Sequence, residues 1–542
     1  MLRVSALFLS ALALLGVGAA AKASPPQYGS QLYIKATMSL PYAGIVEDIE
    51  AWFDGQGDRA KVNYYDGMDS YIFRGDLNVT WQVNPMNNVD TCFATVGAPD
   101  IRSYIPDLTG FELQDDAVQI NNVMCDSWQL AQTTMGKTST YNFFTARDDH
   151  RPIRYQMMGY DSLLGSHYDL YLLDYQNVTT SAQFATNCFD QPPMQCGNFP
   201  GPGATHMNPL DEMDGYFPGD IEADELISPD YADYLRAFGK SYSDAKELRV
   251  REMQFKKHSH FVASHQRKYR VQKETYTVAL NFLADHTEEE LASRRGRLVP
   301  QKGGRKGNNA GSYHQRQYYD ADLPASVDWR PKGAVNPPQD QGVCGSCWSF
   351  GSTGAIEGAY FLKYGKLKVM AEQELMDCSW SQGNNACDGG EDYRAYDWIM
   401  QNGGMSFKEN YGPYLMADGR CKAAELKPDV FIKSYVNTTE FSVPALMDAL
   451  ASVGPVSVSI DASHPGLSFY TGGVYYDPAC GNGLDDLDHS VSAVGYGTEN
   501  GEDYWIVKNS WSTYWGDGGF IKMSRKNNNC GVATQPTYVV LA

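Results

Sequence analysis

Beyond residue 21 the 542-residue chain has no apolar run approaching the roughly 20 residues that cross a bilayer, which excludes a helical membrane span from its body. It is also short of positive charge. With 44 Lys and Arg against 65 Asp and Glu, the net charge of -21 argues against a nucleic-acid partner. No internal repeat is visible, which excludes solenoid and propeller architectures. Cysteine is sparse and odd in number. Eleven thiols cannot all pair within one chain, so at least one stays free or bonds another molecule.

What is present begins with Arg3, an apolar stretch from Val4 to Ala21, and Ala21-Lys22-Ala23, a small-x-small pattern that predicts a signal peptide over 1–23. That places the protein in the secretory pathway, bound for the lysosome or the cell exterior. Acceptor sequons at Asn78, Asn177 and Asn437 fit a glycosylated surface. From 24 to 198, short runs rich in Tyr, Phe, Trp, Val and Thr are broken by Gly, Asn and Asp, and they predict antiparallel β structure. Cys92, Cys125, Cys188 and Cys196 form an even set there, expected to make two bridges, with three connectivities possible. A proline- and glycine-rich linker follows over 199–228.

From 229 to 300 the pattern becomes helical. Glu247, Arg251, Phe255, His258, Val262 and Gln266 recur every three or four residues and so share one stripe of a helix. Residues 246–306 carry 15 basic and 7 acidic side chains, whereas 323–542 carry 15 and 25. Opposite fields of this kind favour docking of the first segment on the second, and acid would weaken the attraction by protonating carboxylates. The stretch 301–322 has few apolar residues to bury, so it is expected to be exposed and readily cut.

The chemistry is carried by Gln341-Gly-Val-Cys344-Gly-Ser-Cys347-Trp-Ser-Phe, with His489 and Asn509 far downstream. Helical spacing after Cys347 puts this thiol at a helix N-terminus, where unpaired N–H groups favour an anion. A protonated His489 would complete a thiolate–imidazolium pair, and Asn509 would hold the ring in one tautomer without adding charge.

These motifs resemble the papain family of cysteine proteases. By that resemblance, Gln341 would join the Cys347 N–H in stabilising a developing oxyanion. His489 follows Cys347 by 142 residues, within the roughly 130 to 150 expected of that family, and Trp505-Ile-Val-Lys-Asn509-Ser510-Trp511 is similar to the segment that supplies its orienting asparagine and shielding indole. The stripe of residues 247–266 and Ala279-Leu-Asn281-Phe-Leu283-Ala-Asp285 resemble, with substitutions, the inhibitory propeptide of cathepsin-L-like zymogens. A cathepsin-L-like half behind a β extension resembles the insect 26/29 kDa proteases, in which both portions persist.

The resemblance implies an α+β fold: a papain-like two-lobe protease over 323–542, one lobe helical and one β-barrel-like, preceded by a helical inhibitory propeptide, an activation linker and an N-terminal antiparallel β domain. It implies bridges Cys344–Cys387, Cys378–Cys421 and Cys480–Cys530, which leave Cys347 unpaired and argue against a zinc site at the Cys-x-x-Cys pair. No cofactor or metal is expected. Partners would be protein and peptide substrates, with the propeptide as intramolecular inhibitor and the β domain retained. Cys387 to Cys421 lacks the insertion and the histidine that chain-end-trimming relatives use, which favours an endopeptidase. By the same resemblance, Gly389, Gly390, Glu391, Asp392, Ser459, Leu487, Ser490, Trp511 and Gln535 line the substrate cleft. The pocket for the second residue before the scissile bond would then be polar and acidic, favouring polar or basic side chains over Leu and Phe. The rival reading is a secreted ligand-binding β protein with an inert protease-like half.

Overall fold

The computed structural model describes residues 24–542 except 42–44, 98–102, 115–116, 135–136, 161–167, 199–227, 239, 241, 243–244 and 299–311. The expected signal peptide, nearly all of the 199–228 linker and the first part of the activation linker lie outside the described residues.

The N-terminal strands form one antiparallel meander on either side of Gln31–Leu40. Ile45–Asp54, Arg59–Tyr64, Asp69–Arg74, Val79–Met86 and Val89–Val96 follow on one flank, and Tyr168–Thr180, Pro152–Tyr160, Lys137–Ala146 and Val123–Thr134 on the other. Alternation sets the buried face: Leu32, Ile34, Ala36, Met38 and Leu40 all point inward from one strand. Two tight hairpins turn on Asn87-Asn88 and Asn121-Asn122, all four with positive φ, a conformation that asparagine tolerates better than most residues. The sheet's own segment supplies Tyr104, Ile105, Leu108 and Phe111 to the apolar cluster on its inner face.

One cysteine expectation fails in this domain. Cys92 bonds Cys196, but Cys125 and Cys188 are both free. Cys125 is packed with Phe144, Ala146 and Ile153 on Val123–Thr134, whereas Cys188 feels the charges of Lys61 and Arg59 on Arg59–Tyr64. Those two strands are six positions apart in the sheet, so the two thiols sit against different parts of it.

In the propeptide, helix Ala245–Arg270 turns the predicted stripe onto its partners. Arg251 pairs with Glu290 and Glu247, Phe255 stacks with Tyr231 and Tyr234, and Gln266 donates to the carbonyl of Val278. Asp285 is fully buried, bonded by Lys240 and by the hydroxyls of Tyr231, Tyr234 and Tyr242. The segment reaches the protease through the strand Tyr276–Val278, which pairs with Tyr470–Tyr475, and through Asn281, which donates to the carbonyl of Ser468.

The long-range charge argument holds only locally. Arg251, Lys256, Lys257 and Lys268 pair within the propeptide, while Arg295 and Arg297 reach Asp488 and Glu391 of the protease. The described part of the activation linker, 312–322, is exposed as expected except at His314 and Tyr318, but it is anchored. Ser312–Tyr313 pairs in parallel with Val436–Asn437, and the buried carboxylate of Asp448 collects His314 and the N–H groups of Gln317 and Tyr318.

The protease has a helical lobe and a sheet lobe, clipped by Cys344–Cys387, Cys378–Cys421 and Cys480–Cys530. Its central helix, Cys347–Tyr364, crosses the strand His489–Glu499 with Gly351 and Gly354 on the contact side, while Gly358 faces Pro455 just before the strand Val456–Ile460. A methyl group on Gly358 would stand 2.5 Å from the rigid ring of Pro455. Gly358→Ala should therefore lower the melting temperature by the equivalent of about 1–3 kcal/mol of overpacking, although alanine alone would favour the helix by about 1 kcal/mol. A calorimetric scan showing stabilisation would refute this close approach.

Candidate active site

Cys347 is the first residue of the central helix, and His489 the first of its partner strand; both are fully buried. The N–H of Ser490 lies 3.4 Å from Cys347 Sγ. His489 Nε2 is 2.8 Å from Asn509 Oδ1, which assigns the ring proton to Nε2 and keeps the neutral lone pair on Nδ1. The Trp511 ring covers the imidazole at 4.9 Å.

Gln341 is fixed at both ends of its amide. Ser510 Oγ donates to its Oε1 at 2.6 Å, and its Nε2 donates to the carbonyls of Cys344 at 2.8 Å and Arg294 at 3.0 Å. Tyr414 donates to the Gln341 carbonyl at 2.9 Å and shares a 2.6 Å bond with Ser346 beside the nucleophile. Ser510 and Tyr414 were not singled out from the sequence, since neither residue carries a motif of its own.

The propeptide crosses this site as an extended strand. The N–H of Gly390 donates to Gly296, and that of Leu298 donates back to Gly390, at 2.8 and 3.1 Å. Gly296 passes so close to the carbonyl of Gly345 that a Cβ would overlap it. This crossing was not read from the sequence; Arg294-Arg-Gly-Arg297 was its only mark. Of the predicted cleft residues, Gly390, Glu391, Leu487 and Gln535 contact the strand, and Gly389 lies against Leu298. Ser459 and Ser490 are neighbours across two strands. Asp392 is buried but turned away, bonded by Thr537 and by the N–H of Tyr393 at the start of its own helix. Asp488, unpredicted, accepts the N–H of Arg297 at 3.0 Å and pairs with Arg295 at 2.8 Å.

Burial under this strand changes the electrostatics expected of an active pair. It pushes the Cys347 thiol up to about 12 and lowers His489 to about 4, so both are neutral here rather than a thiolate and an imidazolium.

Residues 323–540 match the papain family cysteine protease model, and 231–291 match the cathepsin propeptide inhibitor domain. A cathepsin L-like peptidase of Aedes aegypti is 42% identical over 58% of this chain and 93% of its own. The chain belongs to the papain family of cysteine proteases. Human cathepsin L2 is also 42% identical, over 54% of this chain and 87% of its own. Digestive procathepsin L2 of Tenebrio molitor larval midgut superposes with a TM-score of 0.52 at 35% identity, covering 58% of this chain and 99% of that one. Both family models lie within 231–540, so the β domain is outside them.

In the intact zymogen, Cys347 should therefore react with iodoacetamide at pH 8 about 100-fold or more slowly than after removal of the propeptide, because the thiolate is the reacting species. Peptide mapping separates Cys347 from Cys125 and Cys188; equal rates at Cys347 in both forms would contradict the burial.

Proposed function

We propose that the protein is a secretory-pathway zymogen that matures into an endopeptidase, with Cys347 as nucleophile, His489 as base and then acid, and Asn509 as the residue that orients it. Once the propeptide leaves, water and the helix N-terminus favour transfer of the thiol proton to His489. The thiolate then attacks a peptide carbonyl. Gln341 Nε2 and the Cys347 N–H stabilise the oxyanion, His489 protonates the departing amine, and water hydrolyses the acyl-enzyme.

One observation carries this reading: the propeptide's own Arg294 carbonyl already accepts the Gln341 amide beside the buried thiol. Cleavage N-terminal to Ser312 would leave the His314–Tyr318 anchor on the mature enzyme. Asn78 and Asn177 are exposed and suited to glycosylation, whereas Asn437 is part-buried beside Tyr313.

Cys347→Ala should abolish hydrolysis of an unfolded protein substrate without loss of fold, and Asn509→Ala should reduce kcat by about 10²-fold or less. Turnover surviving in Cys347→Ala would defeat the proposal, as would release of dipeptides from chain ends with no internal cuts.

Acid activation has a source in His258. Its Nδ1 lies 2.7 Å from the carbonyl of Ala284 and its ring 5.1 Å from Phe469 of the protease, with Lys257, Glu288 and Asp285 as the charges around it. Burial holds it below the ordinary 6.5. A histidine kept neutral when docked but free to protonate when released contributes stability above about pH 6.5 that is lost as pH falls. Asp488 does not act this way, because burial raises it to about 6 and favours its protonated form where it stands. In a Cys347→Ala zymogen, which cannot process itself, His258→Asn should flatten the fall in propeptide melting temperature between pH 7 and 5. An unchanged slope would move the sensor elsewhere.

A further inference from the structure

The side chain of Arg297 enters a pocket built wholly from the protease. Its guanidinium is completely buried. One terminal nitrogen donates to the carbonyls of Leu487 at 2.8 Å and Leu484 at 3.3 Å; the other donates to Gln535 Oε1 at 2.9 Å and stands 3.6 Å from a carboxylate oxygen of Glu391, itself buried. Gln535 faces its oxygen inward because its Nε2 lies 3.4 Å from Glu440. The loop that supplies the two carbonyls ends at Asp488, whose own carbonyl accepts the backbone N–H of Arg297.

We propose that this pocket selects arginine as the second residue before the scissile bond, with Glu391 as the selecting charge and Arg297 as a resident copy of the substrate side chain. The inference rests on the reading of Cys347 as nucleophile. Among the described residues, the contacts of the terminal nitrogens all come from the protease, so departure of the propeptide leaves two carbonyls, an amide oxygen and a carboxylate converging on one vacated position. A planar, forked donor hydrogen-bonds both carbonyls and the amide oxygen and meets the carboxylate as an ion pair. A leucine or phenylalanine would cover the same acceptors and leave them without donors, the situation in which a polar site discriminates most strongly. Lysine would satisfy the charge but not the fork. The exclusion of apolar residues thus comes from Glu391 and the loop carbonyls; Asp392, the other acidic residue expected here, is bonded to Thr537.

The test uses mature enzyme and peptides that differ only at the second position before the cut, carrying Arg, Lys, Leu or Phe. The expected kcat/KM for Arg exceeds that for Leu by about tenfold or more, with Lys between them. In Glu391→Gln the Arg-to-Leu ratio should fall by about tenfold, and in Glu391→Leu it should invert. A wild-type preference for Leu or Phe over Arg would overturn the inference while leaving the protease reading intact. Failure to cleave any peptide, in an enzyme whose Cys347 still alkylates, would instead overturn that reading. The wild-type panel decides the question by itself should either variant fail to fold. An unchanged Arg-to-Leu ratio in a folded Glu391→Gln enzyme would assign selection to the carbonyls and remove Glu391 from the role.

Discussion

The protease depends on one close contact, between the central helix Cys347–Tyr364 and the strand His489–Glu499. Cys347 opens the helix and His489 opens the strand, so the distance between the two elements sets the distance between thiol and imidazole. Small residues make that distance short. Gly351, Gly354 and Gly358 present backbone rather than side chains to Ser490, Ser492 and Pro455. Interiors pack densely enough that one added methyl group must be accommodated by a shift of something else, and here the element that would shift carries a reacting group.

Inhibition follows from the same geometry. The propeptide does not distort the site; it fills it, seating a backbone carbonyl on Gln341 and an arginine in the acidic pocket. Water is thereby excluded from a thiol and an imidazole, and desolvation penalises the charged forms of both. The zymogen is therefore silent for two reasons, occupancy and protonation, and removing the strand reverses both. What holds the strand is local: a short ladder at Tyr276–Val278, the Asp285 hub and two arginines, rather than a general attraction of a basic segment for an acidic body.

The β domain joins the helical lobe near this machinery. Tyr65 donates to the carbonyl of Leu415, Asn88 accepts the N–H of Cys421, Asp90 pairs with Arg420, and Met416 packs with both apolar clusters. Tyr414, next along that loop, bonds the Gln341 carbonyl. The surface that receives the β domain is thus part of the same loop that bonds Gln341.

By itself the sequence pointed to the chemistry proposed for Cys347, His489, Asn509 and Gln341, because each sits in a local context that names it, and it determined the inhibitory helix, because a period near 3.6 places Arg251, Phe255, His258 and Gln266 on one side whatever they meet. It offered Glu391 and Asp392 alike as acidic cleft residues; that Glu391 meets Arg297 while Asp392 bonds Thr537 came from the fold. Only the tertiary structure decided which cysteines of the β domain could bond, since Cys125 and Cys188 sit against different parts of the sheet in a way that spacing along the chain does not encode. It likewise decided that the linker after residue 311 is pinned by Asp448, a single buried carboxylate gathering donors from a stretch with little apolar surface. It decided the protonation state of Cys347 and His489 too. Residue type sets a reference pKa, but the water that a distant strand displaces sets the actual one, and burial belongs to the fold rather than to any residue in it.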